Sequence, residues 1–413
     1  MIDHFYSNPN LLQHWRHGPL VSQLDQFADL LIQQGFSRNV GRSKLRVVAQ
    51  LSQWLGRKRI LLSQLDEQKV SAFQAARRKH CQPDTGEGAT LTLLLRHLRQ
   101  VGLVPAAVNR PADGPIDRLV RDYGQFLLEE RGLSSTTLPN RLSSVRRFLV
   151  LQFKSKKVRL QDLRPQDVSG FYLHAMPPLE WAQTQTAATS IRGFFRFLYQ
   201  CGRLNGDLSA SVPTLASRRP AEPPRYLEPQ QVERLLKCRN QANSCRLRDQ
   251  AVLVLLARLG LRAGEVLHLT LDDIHWETGE ILVRGKSARE DRLPLPPDVG
   301  RALAAYLKQE RPRCSSRRVF LRSAAPHEGL AAPSSIALIV RQAMARAHLH
   351  AEHQGAHLLR HSLATRMLRT GASLTQIGQV LRHRHTAATE IYAKVDLTAL
   401  RRMAQPWLTG GAR

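Results

Sequence analysis

Acidic residues are scarce. The 413-residue chain carries 33 Asp and Glu against 61 Lys and Arg, a formal net charge of +28. A surplus this large repels itself unless an anionic partner neutralises it. Nucleic acid suits, because each neutralised phosphate releases condensed counterions. The competing reading is a generally basic protein with no such partner. Cysteine is also sparse. Cys81, Cys201, Cys238, Cys245 and Cys314 are odd in number and show no C-x-x-C spacing, which argues against a disulfide framework and a zinc ribbon. A reduced cytoplasmic protein is expected. Aromatics are only 6% of the chain, so the cores must be mostly aliphatic, drawn from a 42% hydrophobic content. The longest apolar run, Ala251 to Ala257, is too short to cross a bilayer, and the opening MIDHFYSNPN lacks the apolar core of a signal peptide. No membrane association is expected. There is no G-x-x-x-x-G-K-[ST] loop, and no carboxylates or thiols stand at metal-ligand spacing, so no cofactor and no metal are expected.

Length allows two to four domains. Ala216 to Pro224, ASRRPAEPP, holds three prolines and two arginines without apolar periodicity and reads as a linker. Val104 to Pro115 breaks the chain for the same reason. The segments expected are 1–105, 112–212, a linker at 213–225, then 226–405 and a short tail at 406–413. The first two resemble each other. Leu24–Ser37, Leu51, Leu62–Phe73 and the stretch ending near Gly102 answer Arg118–Ser134, Arg146, Leu160–Phe171 and the stretch ending near Gly202. Each reads as four amphipathic helices, and convergence of two bundles on one pattern is the plainer alternative. Faces carrying Arg141, Arg146, Arg147, Lys154, Lys156 and Lys157 suit phosphates, though each residue alone reads as a solvated charge. The third segment differs. Helices are expected from Glu228 and Arg246, then a hairpin of GEILVRG and DRLPLP around Gly285-Lys286-Ser287, with RVFLR at Arg318 as a further strand. The fold class is mainly α with a small β-sheet, α+β. Residues 341–413 hold eleven Arg and Lys against three Asp and Glu, so the end is basic.

Within that segment, an apolar helix stops at Gly260 and another begins near Gly264, with Arg262 in the turn and Glu265 close enough to orient it. A guanidinium there can present a bidentate fork to a phosphate, or simply cap the helix. His357, Arg360 and His361 open the next apolar helix, where charge is costly unless an anion is held, and the helix N-terminus favours one. Satisfied core histidines are the plain alternative. Ser373 and Gln376 mark a capping box, and the helix that follows ends in Arg382-His383-Arg384-His385. Tyr392 lies nine residues after His383; a lone Tyr is more often a packed core ring.

The order Arg262, Lys286, His357-x-x-Arg360, His383, Tyr392, with the stretches GLRAGE, HLLRHSLAT and LRHRHTAATEIYAKVD, resembles the tyrosine recombinase (phage integrase) family. IYAKVD looks like its transposon-associated members. The resemblance implies a catalytic domain over 226–405, a helical core-binding domain over 112–212, and an N-terminal bundle at 1–105 that looks like a duplicate of the core-binding domain. It implies DNA cleavage and rejoining through a covalent 3′-phosphotyrosine, in integration, excision or transposition of a mobile element. Tyr392 would be the nucleophile, His357 its base, and Lys286 the acid for the leaving 5′-oxygen. Arg262, Arg360 and His383 would hold the phosphate, with Glu265 and His361 behind them. Two guanidiniums supply the charge a metal would supply, and the aryl phosphodiester conserves bond energy, so neither metal nor ATP is required. Double-stranded DNA is the expected partner, with a dimer on one site and a tetramer in synapsis in a cytoplasmic, nucleoid-associated setting. A C-terminal helix around Leu397–Trp407 would dock on a neighbouring protomer. Many members of the family carry Gly where this chain has Arg382; the difference alters a turn and removes no reacting group. A type IB topoisomerase and a DNA-binding protein without catalysis are the competing functions.

Overall fold

The computed structural model describes residues 2–6, 18–78, 86–106, 114–133, 137–153, 158–174, 181–214, 224–238, 245–285, 290–351 and 354–395, without the side chains of 3, 181, 182, 387 and 395. The chain divides into two compact units. One is Met1–Ala106 with Ala221–Arg413, and the other is Ala107–Pro220. Lys286, Cys81, the run 154–157 and the C-terminal stretch from 396 lie outside the described residues. Among those described, no helix is long and apolar enough to cross a membrane, and no group of three or more His, Cys, Asp or Glu is placed to hold a metal ion.

The unit Ala107–Pro220 is a four-helix bundle: α5 (Pro115–Glu129), α6 (Leu138–Phe153), α7 (Pro165–His174) and α8 (Trp181–Gln200). Its core holds an unusual share of the chain's few aromatics. Tyr123 meets Phe194 edge-on at 5.2 Å, and Phe148 meets Phe195 at 5.5 Å. Gly193 is required by that packing, since a Cβ there would stand 2.7 Å from the Tyr123 hydroxyl.

The other unit opens with a bundle of the same internal order: α1 (Val21–Gln33), α2 (Arg38–Arg57), α3 (Glu67–Arg78) and α4 (Glu87–Gln100). A 3-10 turn precedes the third helix of each bundle, at Leu62–Gln64 and Leu160–Asp162. The last helices end alike. Gly102 N–H reaches Arg99 O at 3.1 Å and Leu103 N–H reaches Leu98 O at 2.9 Å; Gly202 and Arg203 repeat the pair on Tyr199 and Leu198 at 3.0 and 2.9 Å. Both glycines have positive φ, as this helix ending demands.

The rest of that unit is built on α10 (Arg246–Leu259), whose residues Ala251 to Ala257 are all buried. Around it stand α9 (Pro229–Lys237), α12 (Pro297–Gln309), α13 (Pro333–Arg346) and α14 (Ala356–Arg369). Each fully buried aliphatic side chain there contributes about 1.5–3 kcal/mol, so the scaffold under α14 is stiff. The three strands β1 (Ile274–His275), β2 (Glu280–Arg284) and β3 (Glu290–Pro294) form an antiparallel sheet in sequence order, with Glu280 opposite Pro294 and Arg284 opposite Glu290. Ile281 and Val283 face the core, as alternation requires. The strand expected at RVFLR does not form. That stretch makes only isolated bridges, Thr270 to Arg318 and Leu321 to Gly329. Its Val319, Phe320 and Leu321 are all buried, so consecutive apolar residues mark a core crossing rather than a ladder.

Candidate active site

Gly260 ends α10 with φ +58, and a Cβ there would meet Leu381 at 2.8 Å and Leu363 at 3.0 Å. Only glycine lets the chain turn here with two helices pressed against it. Arg262 follows as the extended residue before α11 (Ala263–His268). Glu265, in the first turn of α11, accepts from the Arg262 backbone N–H at 2.9 Å and from its Nη1 at 2.7 Å. The carboxylate thereby fixes a guanidinium that is still 35% exposed.

Arg360 enters from α14 and is 3% exposed. Its Nη1 donates to the Gly260 carbonyl and its Nη2 to the Leu381 carbonyl. Arg262 Nη2 donates to the next carbonyl, that of Arg382, at 3.3 Å. The two guanidiniums, distant in the chain, therefore converge on one turn, the end of α15 (Leu374–Leu381). That helix begins with the expected capping box, in which Ser373 Oγ accepts from Gln376 N–H at 3.2 Å and Gln376 Oε1 from Ser373 N–H at 2.8 Å. Burial pushes the Arg360 pKa down to about 10, helped by the charges of Arg262 and Arg382. Cations packed so closely are costly to bury together, and an anion among them would offset that cost.

His383 follows the turn. Its ring stacks on Tyr392 with centroids 6.4 Å apart and planes 3° from parallel, and its Nδ1 lies 2.7 Å from Thr389 Oγ1. Thr389 is buried, and nothing in the sequence reading singled it out; its position three residues before the tyrosine is the signal that was available. Burial, then Arg360 and Arg262, push His383 down to about 4.

Tyr392 sits on a 3-10 turn (Ile391–Val395) after the four-residue helix α16 (Ala387–Glu390). It is 1% exposed, packed with Ala364, Ile377 and Leu381 in a small apolar cluster. Its hydroxyl lies 2.9 Å from Nδ1 of His361. Burial raises the phenol to about 12 against the lowering pull of Arg360 and Arg262. His361 is itself pushed down to about 4, by burial and then by His357 and Arg360. It is therefore neutral at pH 7, and the phenol O–H donates to Nδ1 in the tautomer with its proton on Nε2. His357, the expected base, makes no hydrogen bond to the phenol; its ring lies tilted beside that of His361, centroids 6.2 Å apart, keeps an exposed edge, and has its pKa lowered by partial burial, then by Arg360 and Arg262. The structure thus gathers Arg262, Glu265, His357, Arg360, His361, His383 and Tyr392, and adds Thr389 and Arg382. Lys286 falls between the described ends of β2 and β3.

The chain is similar to several known proteins. Residues 225–398 match the phage integrase family. A putative integrase/recombinase of Sinorhizobium fredii is 38% identical over 391 residues, covering 94% of this chain and 95% of that protein. A tyrosine recombinase XerD of Listeria monocytogenes is 29% identical, covering 68% of this chain and 96% of its own length. Among solved structures, XerH recombinase bound to a palindromic difH substrate in a post-cleavage complex matches with TM-score 0.55 at 18% identity, over 71% of this chain and 97% of that one. A lambda integrase dimer on a core site matches with TM-score 0.51 at 17% identity, over 67% and 94%. These two likenesses establish the fold. The relative that spans nearly the whole of both sequences establishes more: this chain belongs to the phage integrase family of tyrosine site-specific recombinases.

Proposed function

We propose that this chain cuts and rejoins double-stranded DNA through a covalent phosphotyrosine at Tyr392. The observation that carries the reading is the meeting of Arg262 and Arg360 at one turn whose next residue, His383, stacks on the tyrosine ring. A phosphodiester is anionic and resists attack. Arg262, Arg360 and His383 bind its non-bridging oxygens and stabilise the charge of the five-coordinate transition state. The Tyr392 oxygen forms a bond to phosphorus while the bond from phosphorus to the 5′-oxygen breaks, leaving a 3′-phosphotyrosine. Lys286, which follows β2 in the sequence, gives its proton to the leaving 5′-oxygen. A 5′-hydroxyl from the partner strand then attacks the phosphotyrosine and releases Tyr392. No metal or ATP enters the balance.

His357 takes the phenol proton in the scheme implied by the family. A second reading assigns that step to His361, favoured by its 2.9 Å contact with the hydroxyl. With the imidazole near 4 and the phenol near 12, transfer within this closed pair is far uphill. The pair therefore stores the phenol, and the proton leaves only once the phosphate has brought the hydroxyl among the arginines. The natural event is integration, excision or transposition of a mobile element by protomers acting in the cytoplasm, paired on one site and joined as four in synapsis.

The test is a nicked duplex that traps the adduct, with the trapped DNA sequenced to give the cleavage position. Wild type becomes covalently attached. Tyr392→Phe gives no adduct yet binds the same DNA. An adduct persisting in that variant would refute the assignment.

A further inference from the structure

Three non-glycine residues among those described have positive φ: Arg59, His348 and Arg382. The first two are exposed; Arg382 is buried at 7%. A large side chain in left-handed backbone is strained, and a guanidinium out of water is costlier still unless partnered. Its partners are specific. Nη2 donates to Glu265 Oε2 at 2.8 Å and Nη1 to the Val380 carbonyl at 3.1 Å. Nε is shielded and finds no partner among the described residues. Glu265, 6% exposed, is therefore gripped by Arg262 on one side and Arg382 on the other. The left-handed residue also closes the end of α15, where His383 N–H reaches Gly378 O at 2.9 Å.

We propose that Arg382 is a positioning residue for phosphate binding, acting through Glu265: it holds the carboxylate that aims Arg262 and anchors the turn whose carbonyls receive both Arg262 and Arg360. This rests on the reading that those two arginines hold the phosphate. The charged and titratable groups facing Glu265 are Arg262 on its own element, Arg382 from the end of α15, and Arg360 and His357 from α14. Burial raises the Glu265 pKa, while Arg382 and then Arg262 more than reverse it and keep the carboxylate ionised. Without Arg382 the carboxyl protonates at higher pH, and Arg262 loses its guide as the solution is acidified.

The test uses the full chain, titrated with inorganic phosphate from pH 4 to 8 and followed by phosphorus NMR. Arg382→Gly suits the left-handed backbone, so folding is retained and thermal unfolding checks it. Phosphate affinity falls roughly tenfold at neutral pH, as expected for a displaced binding group. Its acid limb moves toward neutrality. Arg382→Lys keeps a charge without the planar fork and restores the limb in part. Glu265→Gln combined with Arg382→Gly is no worse than the greater single loss, because both act along one path. Wild-type affinity and an unmoved limb in Arg382→Gly, or additive losses in the double variant, would overturn the proposal. Arg262→Ala is the control for the underlying reading. If it binds phosphate like wild type, the phosphate site itself is misassigned and the proposal falls with it; if it alone loses binding while Arg382→Gly does not, only the role of Arg382 is lost.

Discussion

The two halves of the candidate site are both buried but are supported differently. Arg360 projects from the fourteen-residue α14, whose neighbours Leu358 and Leu359 belong to the large core around α10. Among the described residues, its hydrogen bonds go to the backbone carbonyls of Gly260 and Leu381. Tyr392 sits on a short 3-10 turn over a cluster of four buried residues, itself included, and is tied by one side-chain hydrogen bond to His361. The difference separates two tasks. The arginine half is preassembled, which on the proposed reading suits phosphate binding, because charge stabilisation works best when the donors need no reorganisation. The nucleophile half rests on few contacts, and regions with few buried contacts open at the lowest free energy. On the proposed reading, a tyrosine that reaches phosphorus and later releases it belongs on the second kind of support.

Removing Arg360 attacks the stiff half directly. Arg360→Ala leaves the Gly260 and Leu381 carbonyls without their donor. Adduct formation should fall by about 10²–10³, and urea unfolding should show a further loss of about 1–3 kcal/mol for the buried acceptors left unsatisfied. A variant with normal adduct rate would show that the guanidinium is structural only.

Cavities sharpen the contrast. Leu255→Ala, in the large core, should lower global stability by about 2–5 kcal/mol. Ile377→Ala, in the small cluster, should leave global unfolding less affected and instead speed amide exchange over 374–395. Equal protection loss throughout the unit in both variants would erase the distinction between the halves.

Acid should weaken the site through its histidines. His361 and His383 are near 4 in the folded protein, below the value of about 6.5 of an unfolded chain. The unfolded state therefore binds more protons between those values, and stability is lost as pH falls from about 6.5 toward 4. Urea midpoints measured across that window should decline, and His361→Asn should flatten the slope. No change of slope in the variant would mean that His361 is not held neutral. The smallest effect is expected for Thr389→Val, which deprives His383 Nδ1 of its partner. One neutral hydrogen bond is worth about 1 kcal/mol, so adduct formation should slow by roughly fivefold, with DNA affinity unchanged.

Much of this was legible in the chain alone. The stop at Gly260, the turn at Arg262, the Ser373 capping box and the hairpin around Lys286 follow from local rules, since each depends on residues within a few positions. RVFLR misled because buried β-branched and aromatic residues look the same in a strand and in an irregular crossing of the core. The family resemblance puts His361 behind the reacting groups and His357 at the front; the observed hydrogen bond reverses which of them meets the phenol at rest. Neighbours on one helix differ only in direction, and direction is set by what packs against the helix. Arg382 looked like a changed turn and is a buried partner of Glu265.

By itself the sequence determined the helices, their caps, and the order of two arginines, three histidines and a tyrosine, because periodicity and capping act over one or two turns of chain. Only the tertiary structure decided that Arg262 and Arg360 share one turn, that Glu265 is held from both sides, and that Tyr392 lies against His361. Apart from the Arg262–Glu265 pair, those contacts join residues from far-separated stretches of the chain, and their geometry depends on which faces the surrounding core buries.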